Sequence, residues 1–138
     1  MQLRVRNGAI DITVESINSI LGVPMCGFDL MRDEAPTRVL DIASYFRKQF
    51  PKKPKMHPTD VMKLITKSNE LGIQFKINFL VVFANIMVAS RTMGSCNLQF
   101  LDKISNEDMM SRINWCQYIY DMLKHSKDGW SRSSLTCS

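Results

Sequence analysis

The sequence lacks any metal-binding pattern of cysteines and histidines. The four cysteines stand at positions 26, 96, 116 and 137, without a Cys-x-x-Cys pair, and neither His57 nor His125 lies at zinc-ligand spacing from one of them. Free, reduced thiols are therefore expected, because disulfides are uncommon in reducing compartments. We expect no metal site.

Membrane-length apolar runs and a signal peptide are also missing. The uncharged run Ile77–Ser90 has fourteen residues, whereas a helix that crosses a bilayer needs about 20. Charged and apolar residues alternate from the first positions of the chain, which is unlike a secretory signal. These absences favour a protein of the nucleus or cytoplasm that makes no membrane contact.

The most prominent feature present is the apolar segment Phe75–Ser90, in which ten of sixteen residues are Phe, Ile, Leu, Val or Met. Apolar side chains on nearly every face indicate a helix that is enclosed on most sides. We predict that it forms the centre of the core. Its asparagines, Asn78 and Asn85, should hydrogen-bond inside the core, because buried amides need partners; a polar seam that faces a partner is the alternative. The predicted core residues are Phe75, Phe79, Leu80, Phe83 and Trp115.

The N-terminus predicts a β-hairpin followed by a short helix. Two alternating runs flank Asn7-Gly8, a dipeptide typical of hairpin turns. Thr13 is a suitable N-cap for a helix over Val14–Leu21, and Gly22 is a suitable C-terminal stop. A hairpin this small must pack on helices.

The rest of the chain predicts further helices. Their expected positions are Arg38–Phe50, a helix that starts at Pro58-Thr59-Asp60, the central segment, and a last helix that opens at Ser105-Asn106-Glu107-Asp108 and runs to about Lys124. The predicted fold is mainly α, with five or six helices and one small N-terminal hairpin. Residues 1–130 are expected to form one module, followed by a polar tail over 131–138.

Positive charge is concentrated in one segment, although the net charge of the chain is only +5. Five cations occur within nine residues, interrupted by Pro51 and Pro54: Arg47, Lys48, Lys52, Lys53 and Lys55. One interpretation is a solvated loop that keeps the protein soluble. The other is a contact with nucleic-acid phosphates or a nuclear-import signal.

Several landmarks together resemble the N-terminal module of plant mobile-element proteins. They are Ile10-Asp11-Ile12-Thr13, the pattern I-x-x-I-L-G-V-P-x-x-G from Ile17 to Gly27, Phe75-Lys76 with Phe79-Leu80, Leu101-Asp102, and Asn114-Trp115-Cys116. In such transposon-derived chains the module precedes a SUMO-type cysteine protease domain, and the related plant mobile domain proteins carry the label "aminotransferase-like". The resemblance covers roughly residues 3–130.

The resemblance implies a mostly helical, non-catalytic module. Its larger relatives continue beyond the Asn114-Trp115 helix with further helices and often with the protease domain, so a truncated copy that lacks a downstream domain is one interpretation. Two binding hypotheses remain open. The module contacts a protein partner or the missing downstream domain through apolar surface, or it binds DNA without base readout through residues 47–55.

Three catalytic interpretations do not fit the residues. Neither Gln99 nor Gln117 shortly precedes a suitable cysteine, as a SUMO-type protease requires. The chain has no glycine-rich phosphate loop for a pyridoxal-phosphate aminotransferase. The acids cluster at Asp29–Glu34 and at Glu107–Asp108, of which the second pair is explained by helix capping, and they do not predict a metal-dependent transposase. We expect no enzymatic activity, no catalytic residues and no cofactor.

Overall fold

The computed structural model describes residues 1–34, 37, 40–88 and 94–133. Within these residues the chain forms six α-helices and a two-stranded antiparallel sheet, so the prediction of a mainly α fold with a small N-terminal hairpin is confirmed. The tertiary contacts divide the chain into two compact units. Unit 1 comprises Met1–Arg32 and Arg112–Ser138, and unit 2 comprises Asp33–Ser111.

The hairpin of unit 1 pairs β1 (Gln2–Val5) with β2 (Gly8–Asp11). Its turn consists of Arg6 and Asn7, one residue earlier than predicted, and Val5 therefore pairs with Gly8. A hairpin that turned at Asn7-Gly8 would pair Leu3 with Ile12, whereas the structure pairs Leu3 with Ile10. Because side chains alternate with a period of two, a shift of two positions leaves Leu3 on the same face as Ile10 and Ile12.

Helix α1 (Val14–Leu21) begins and ends where the sequence predicts. The Thr13 hydroxyl accepts a hydrogen bond from the Ser16 backbone N–H, and the Ser16 hydroxyl accepts one from the Thr13 N–H. Gly22 takes the left-handed conformation (φ 66°), and its N–H donates to the Asn18 carbonyl. Helix α1 packs against α6 (Trp115–Ser133), the long C-terminal helix of the same unit.

A short parallel bridge joins the two chain segments of unit 1. The Phe28 N–H donates to the Arg112 carbonyl at 2.7 Å, and the Asn114 N–H donates to the Phe28 carbonyl at 2.9 Å. The prediction of one helix from Ser105 to Lys124 is therefore wrong. The chain forms α5 (Glu107–Met110) in unit 2, leaves helical geometry at residues 111–114, and starts α6 at Trp115, whose side chain is buried.

Unit 2 contains the remaining helices. They are α2 (Ile42–Arg47), α3 (Pro58–Lys67), α4 (Ile73–Phe83), a π-helical turn over Ala84–Val88, a 3₁₀ helix over Gln99–Lys103, and α5. Helix α4 packs against α2 and α3, and the 3₁₀ helix packs against α2. The core of the unit therefore forms where these helices meet around Phe46, which is fully buried.

Helix α2 starts later than predicted. Its N-cap is Asp41, whose carboxylate accepts a hydrogen bond from the Ser44 N–H at 3.0 Å. Leu40 precedes the helix and is more than a third exposed; the predicted start, Arg38-Val39, lies outside the described residues. A side-chain cap of this kind satisfies an N–H that has no partner inside the helix, which fixes the start.

The predicted core around α4 needs a correction. Ile77 and Val81 are fully buried, but Phe79 is 52% exposed, and Phe75, Leu80 and Phe83 are only half-buried. Successive helical residues are about 100° apart, so Phe79 faces away from the side that carries both buried residues. An apolar face on a helix does not by itself ensure a neighbour that covers it.

Candidate functional site

The basic segment lies on the surface of unit 2, between the end of α2 and the start of α3. All five predicted contact residues are exposed: Arg47, Lys48, Lys52, Lys53 and Lys55. Exposure keeps their charges hydrated and available to a ligand, which is compatible with both interpretations of the segment.

One of the five cations already has a partner. The Lys53 ammonium lies 2.8 Å from a carboxylate oxygen of Asp60, in the first turn of α3. This hydrogen bond, together with one from the His57 backbone N–H, lowers the pKa of Asp60. The charge of Lys53 is therefore offset locally, and the five cations do not act as one uniform patch.

Two other cations line a polar cleft of unit 2 with a volume of about 430 Å³. Arg47 enters from the end of α2, and Lys55 enters from the loop before α3. The other lining residues come from a second loop and the 3₁₀ helix, apart from Pro54 and Met56 beside Lys55. The polar lining consists of Arg47, Lys55, Ser95, Asn97, Gln99 and Asp102. Among the described residues, Lys48 and Lys52 do not line this cleft.

Hydrogen bonds fix the loop that forms the far side of the cleft. The Asn85 amide donates to the Asn97 carbonyl at 3.1 Å and accepts from the Asn97 N–H at 2.6 Å. The Cys96 N–H donates to the Met56 carbonyl at 2.6 Å, which ties this loop to the one that carries Lys55. Asn85 belongs to the π-helical turn, a rare element that is frequent near functional sites.

The predicted hydrogen bonding of the two core asparagines is confirmed. The second one, Asn78 of α4, exchanges two hydrogen bonds with the side-chain amide of Gln49, at 2.8 and 3.0 Å. Both asparagines therefore have protein partners and do not form a polar seam directed at a ligand.

Cys96 lies at the cleft but is a poor nucleophile. Burial raises the pKa of its thiol to about 11, and the negative charge of Asp60 adds to the rise. The thiol is thus protonated near neutral pH, and it is the thiolate that reacts. Cys26, Cys96 and Cys116, the cysteines within the described part of the chain, are all free.

A second depression of unit 2 is apolar. It has a volume of about 330 Å³ and lies between α4 and α5, lined by Phe75, Phe79, Leu80 and Met110. Its rim carries Lys76, which forms an ion pair with Glu107, and Asp108. We call this depression the apolar groove. Phe79, which was predicted to lie in the core, is instead an exposed aromatic side chain in this groove.

Neither a metal cluster nor a membrane-spanning helix occurs in the described ranges. No three His, Cys, Asp or Glu side chains there come close enough together to hold a metal ion. None of the helices described has both the length and the apolar character needed to cross a bilayer.

The whole chain, residues 1–138, matches the family described as a domain of unknown function (DUF8566). The chain belongs to this family. No curated protein matches it, and no solved structure matches it. The family description states no activity and no link to mobile elements, so the resemblance to plant mobile-element modules stays a prediction.

The sequence predicted the two cations of the cleft but not the other polar residues that line it. Ser95, Asn97 and Gln99 belong to a stretch without a motif, and nothing local links them to residues 47–55. A weak signal was present in Asn85, because an amide in an apolar segment must find a partner. The groove was missed because Phe75, Phe79 and Leu80, which line it, were predicted to lie in the core.

Proposed function

We propose that this chain is a non-catalytic interaction module that binds a protein partner through the apolar groove of unit 2. The observation that carries the proposal is Phe79, a large aromatic residue on α4 that is half exposed beside a concave apolar surface. Aromatic side chains at such surfaces supply much of the binding energy of protein interfaces. A link to transposon-derived proteins rests on the sequence resemblance alone and is part of the proposal.

The rim of the groove suggests the chemistry of the occupant. Glu107 and Asp108 bring two carboxylates to it, while Lys76 brings one ammonium that pairs with Glu107. The local charge is therefore negative. We propose a partner segment with a large apolar anchor that enters the groove and a neighbouring Lys or Arg that faces Asp108, since charge complementarity selects partners and orientation.

Selection from a displayed peptide library tests this proposal. We expect the intact chain to enrich peptides that combine a large apolar residue with Lys or Arg, and Phe79→Asp to weaken their binding by about tenfold or more. Leu71→Asp is the matched control, because Leu71 is also exposed but does not line the groove. Peptides that bind Phe79→Asp as tightly as the intact chain would refute the groove.

The second candidate function is nucleic-acid binding through the basic segment. The specific observation in its favour is the exposure of all five cations of that segment. Phosphate contacts release counterions, so affinity for duplex or single-stranded DNA should fall about tenfold or more between 50 and 200 mM salt. Apolar docking changes little over that range, and salt dependence therefore separates the two functions.

A further inference from the structure

We propose that the polar cleft of unit 2 binds one nucleotide, with Arg47 and Lys55 on the phosphate and Asn97 and Gln99 on the edge of the base. The nucleotide can come from two sources, a free mononucleotide or one residue of a single strand. The inference deepens the second candidate function by naming its site, and it does not depend on the apolar groove.

The two cations of the cleft suit a phosphate in complementary ways. Arg47 offers a planar guanidinium that can hold two phosphate oxygens at once, and Lys55 adds a point charge from a separate loop. Because Lys53 is paired with Asp60 and the cleft lining described above does not include Lys48 or Lys52, Arg47 and Lys55 are the cations of the segment that can hold a phosphate in this cleft.

The remaining polar groups suit a base better than a second phosphate. Side-chain amides pair with the edge of adenine. Asn97 and Gln99 supply the amides. A nucleotide has groups for both halves of the lining, because its phosphate suits the two cations and its base suits the two amides.

The cleft is also preorganised and large enough. Its far loop is held by the hydrogen bonds between Asn85 and Asn97, and the Asn97 side-chain oxygen accepts a further one from the Gln99 N–H at 3.0 Å. A fixed loop loses little conformational freedom on binding. The volume of about 430 Å³ falls within the range of roughly 300–1,000 Å³ that is typical of small-molecule sites.

The test uses the full chain and three probes, followed by NMR chemical shifts and calorimetry at low salt. The probes are adenosine 5′-monophosphate, inorganic phosphate, and a single-stranded oligodeoxyadenylate of about eight nucleotides. The cleft variant is Arg47→Ala with Lys55→Ala. The matched control is Lys48→Ala with Lys52→Ala, which removes the same charge from the same segment outside the described lining.

We expect the mononucleotide to bind more tightly than phosphate, to shift the amide signals of Asn97 and Gln99, and to lose about tenfold or more in affinity in the cleft variant but about twofold or less in the control. If only the oligonucleotide loses affinity in the cleft variant, the cleft is supported and its ligand is one nucleotide of a single strand. Equal losses in both variants would overturn the cleft while leaving nucleic-acid binding intact. No binding of any probe would overturn both. All four substituted side chains are exposed, and thermal melts check that the variants fold.

Discussion

Asn85 and Asn97 are joined by two hydrogen bonds that use both ends of the Asn85 side-chain amide. The amide nitrogen donates to the Asn97 carbonyl, and the amide oxygen accepts from the Asn97 N–H. The Asn85 side chain thereby does for Asn97 what a neighbouring strand would do. It satisfies both backbone groups of a loop residue, and it sets the position of the cleft that we propose as a nucleotide site.

Replacing Asn85 with leucine should destabilise the protein. The variant keeps a similar volume but leaves the partly buried backbone groups of Asn97 without partners, at a cost of about 1–3 kcal/mol. Chemical denaturation measures the loss. Asn69→Leu, at an exposed position before α4, serves as the control and should change stability by about 0.5 kcal/mol or less. Equal effects at the two sites would contradict the role given to Asn85.

Phe46 and Phe79 should respond very differently to truncation. Phe46→Ala removes a fully buried ring and should cost about 3–5 kcal/mol. Phe79→Ala trims a ring that is half exposed and should cost about 1 kcal/mol or less. Urea unfolding of the two variants measures both values. A large loss at Phe79 would return that residue to the core and remove the basis of the groove proposal.

Gly27 is the glycine whose replacement should be most disruptive. It has φ 121°, and a Cβ there would clash with the Arg112 carbonyl oxygen. Gly27→Ala should therefore break the bridge between Phe28 and residues 112–114 and destabilise unit 1 by about 2 kcal/mol or more. Gly129→Ala makes the same change in open space within α6, where alanine should stabilise the helix by up to about 1 kcal/mol. Thermal melts compare them.

Acid should weaken unit 1 through Asp29. Partial burial alone would raise the pKa of this carboxyl, but hydrogen bonds from the Arg32 side chain and from the backbone of Met31 and Arg32 outweigh it and lower the pKa. The unfolded chain, with an Asp pKa of about 3.9, then takes up the proton first as pH falls. The stabilisation is complete well above pH 4 and is lost as pH falls through the lowered value.

The measurement for this effect compares the free energy of unfolding at pH 7 and about pH 3. Asp29→Asn cannot titrate at this position, so its stability should fall less over that interval than that of the intact chain. Arg32 also forms two hydrogen bonds to Asp121, at 2.8 and 3.0 Å. Arg32→Met should therefore also reduce the dependence on pH. An identical fall in all three proteins would contradict the prediction.

Local signals in the sequence predicted what local interactions determine. Helix α1 was placed correctly because Thr13 and Gly22 cap it through residues only three or four positions away. The last helix was predicted as continuous because its apolar spacing carries no trace of Phe28. That residue binds Arg112 and Asn114 from the other end of the chain, and the interruption exists only in the folded unit.

For the candidate sites too, the sequence predicted the local features but not those that depend on tertiary structure. The density of positive charge at residues 47–55 was visible, but the convergence of Arg47 and Lys55 on one cleft depends on how the loop of Asn97 folds back. The exposure of Phe79 could not be read from its neighbours, because an apolar side chain looks the same in sequence whether another element covers it or a partner does.

Unit 1 is built from the first and last parts of the chain, and this has a consequence for folding during synthesis. All of Asp33–Ser111 is synthesised between the two halves of unit 1, so unit 1 can close only after the whole of unit 2 has been made. Until α6 has been made, helix α1 lacks the helix that packs against it, and Ile17, which is buried in the folded unit, has no such cover. Contacts so distant in sequence form slowly. The closure of unit 1 is therefore a late, long-range step of folding, whereas the contacts of unit 2 form within one continuous segment.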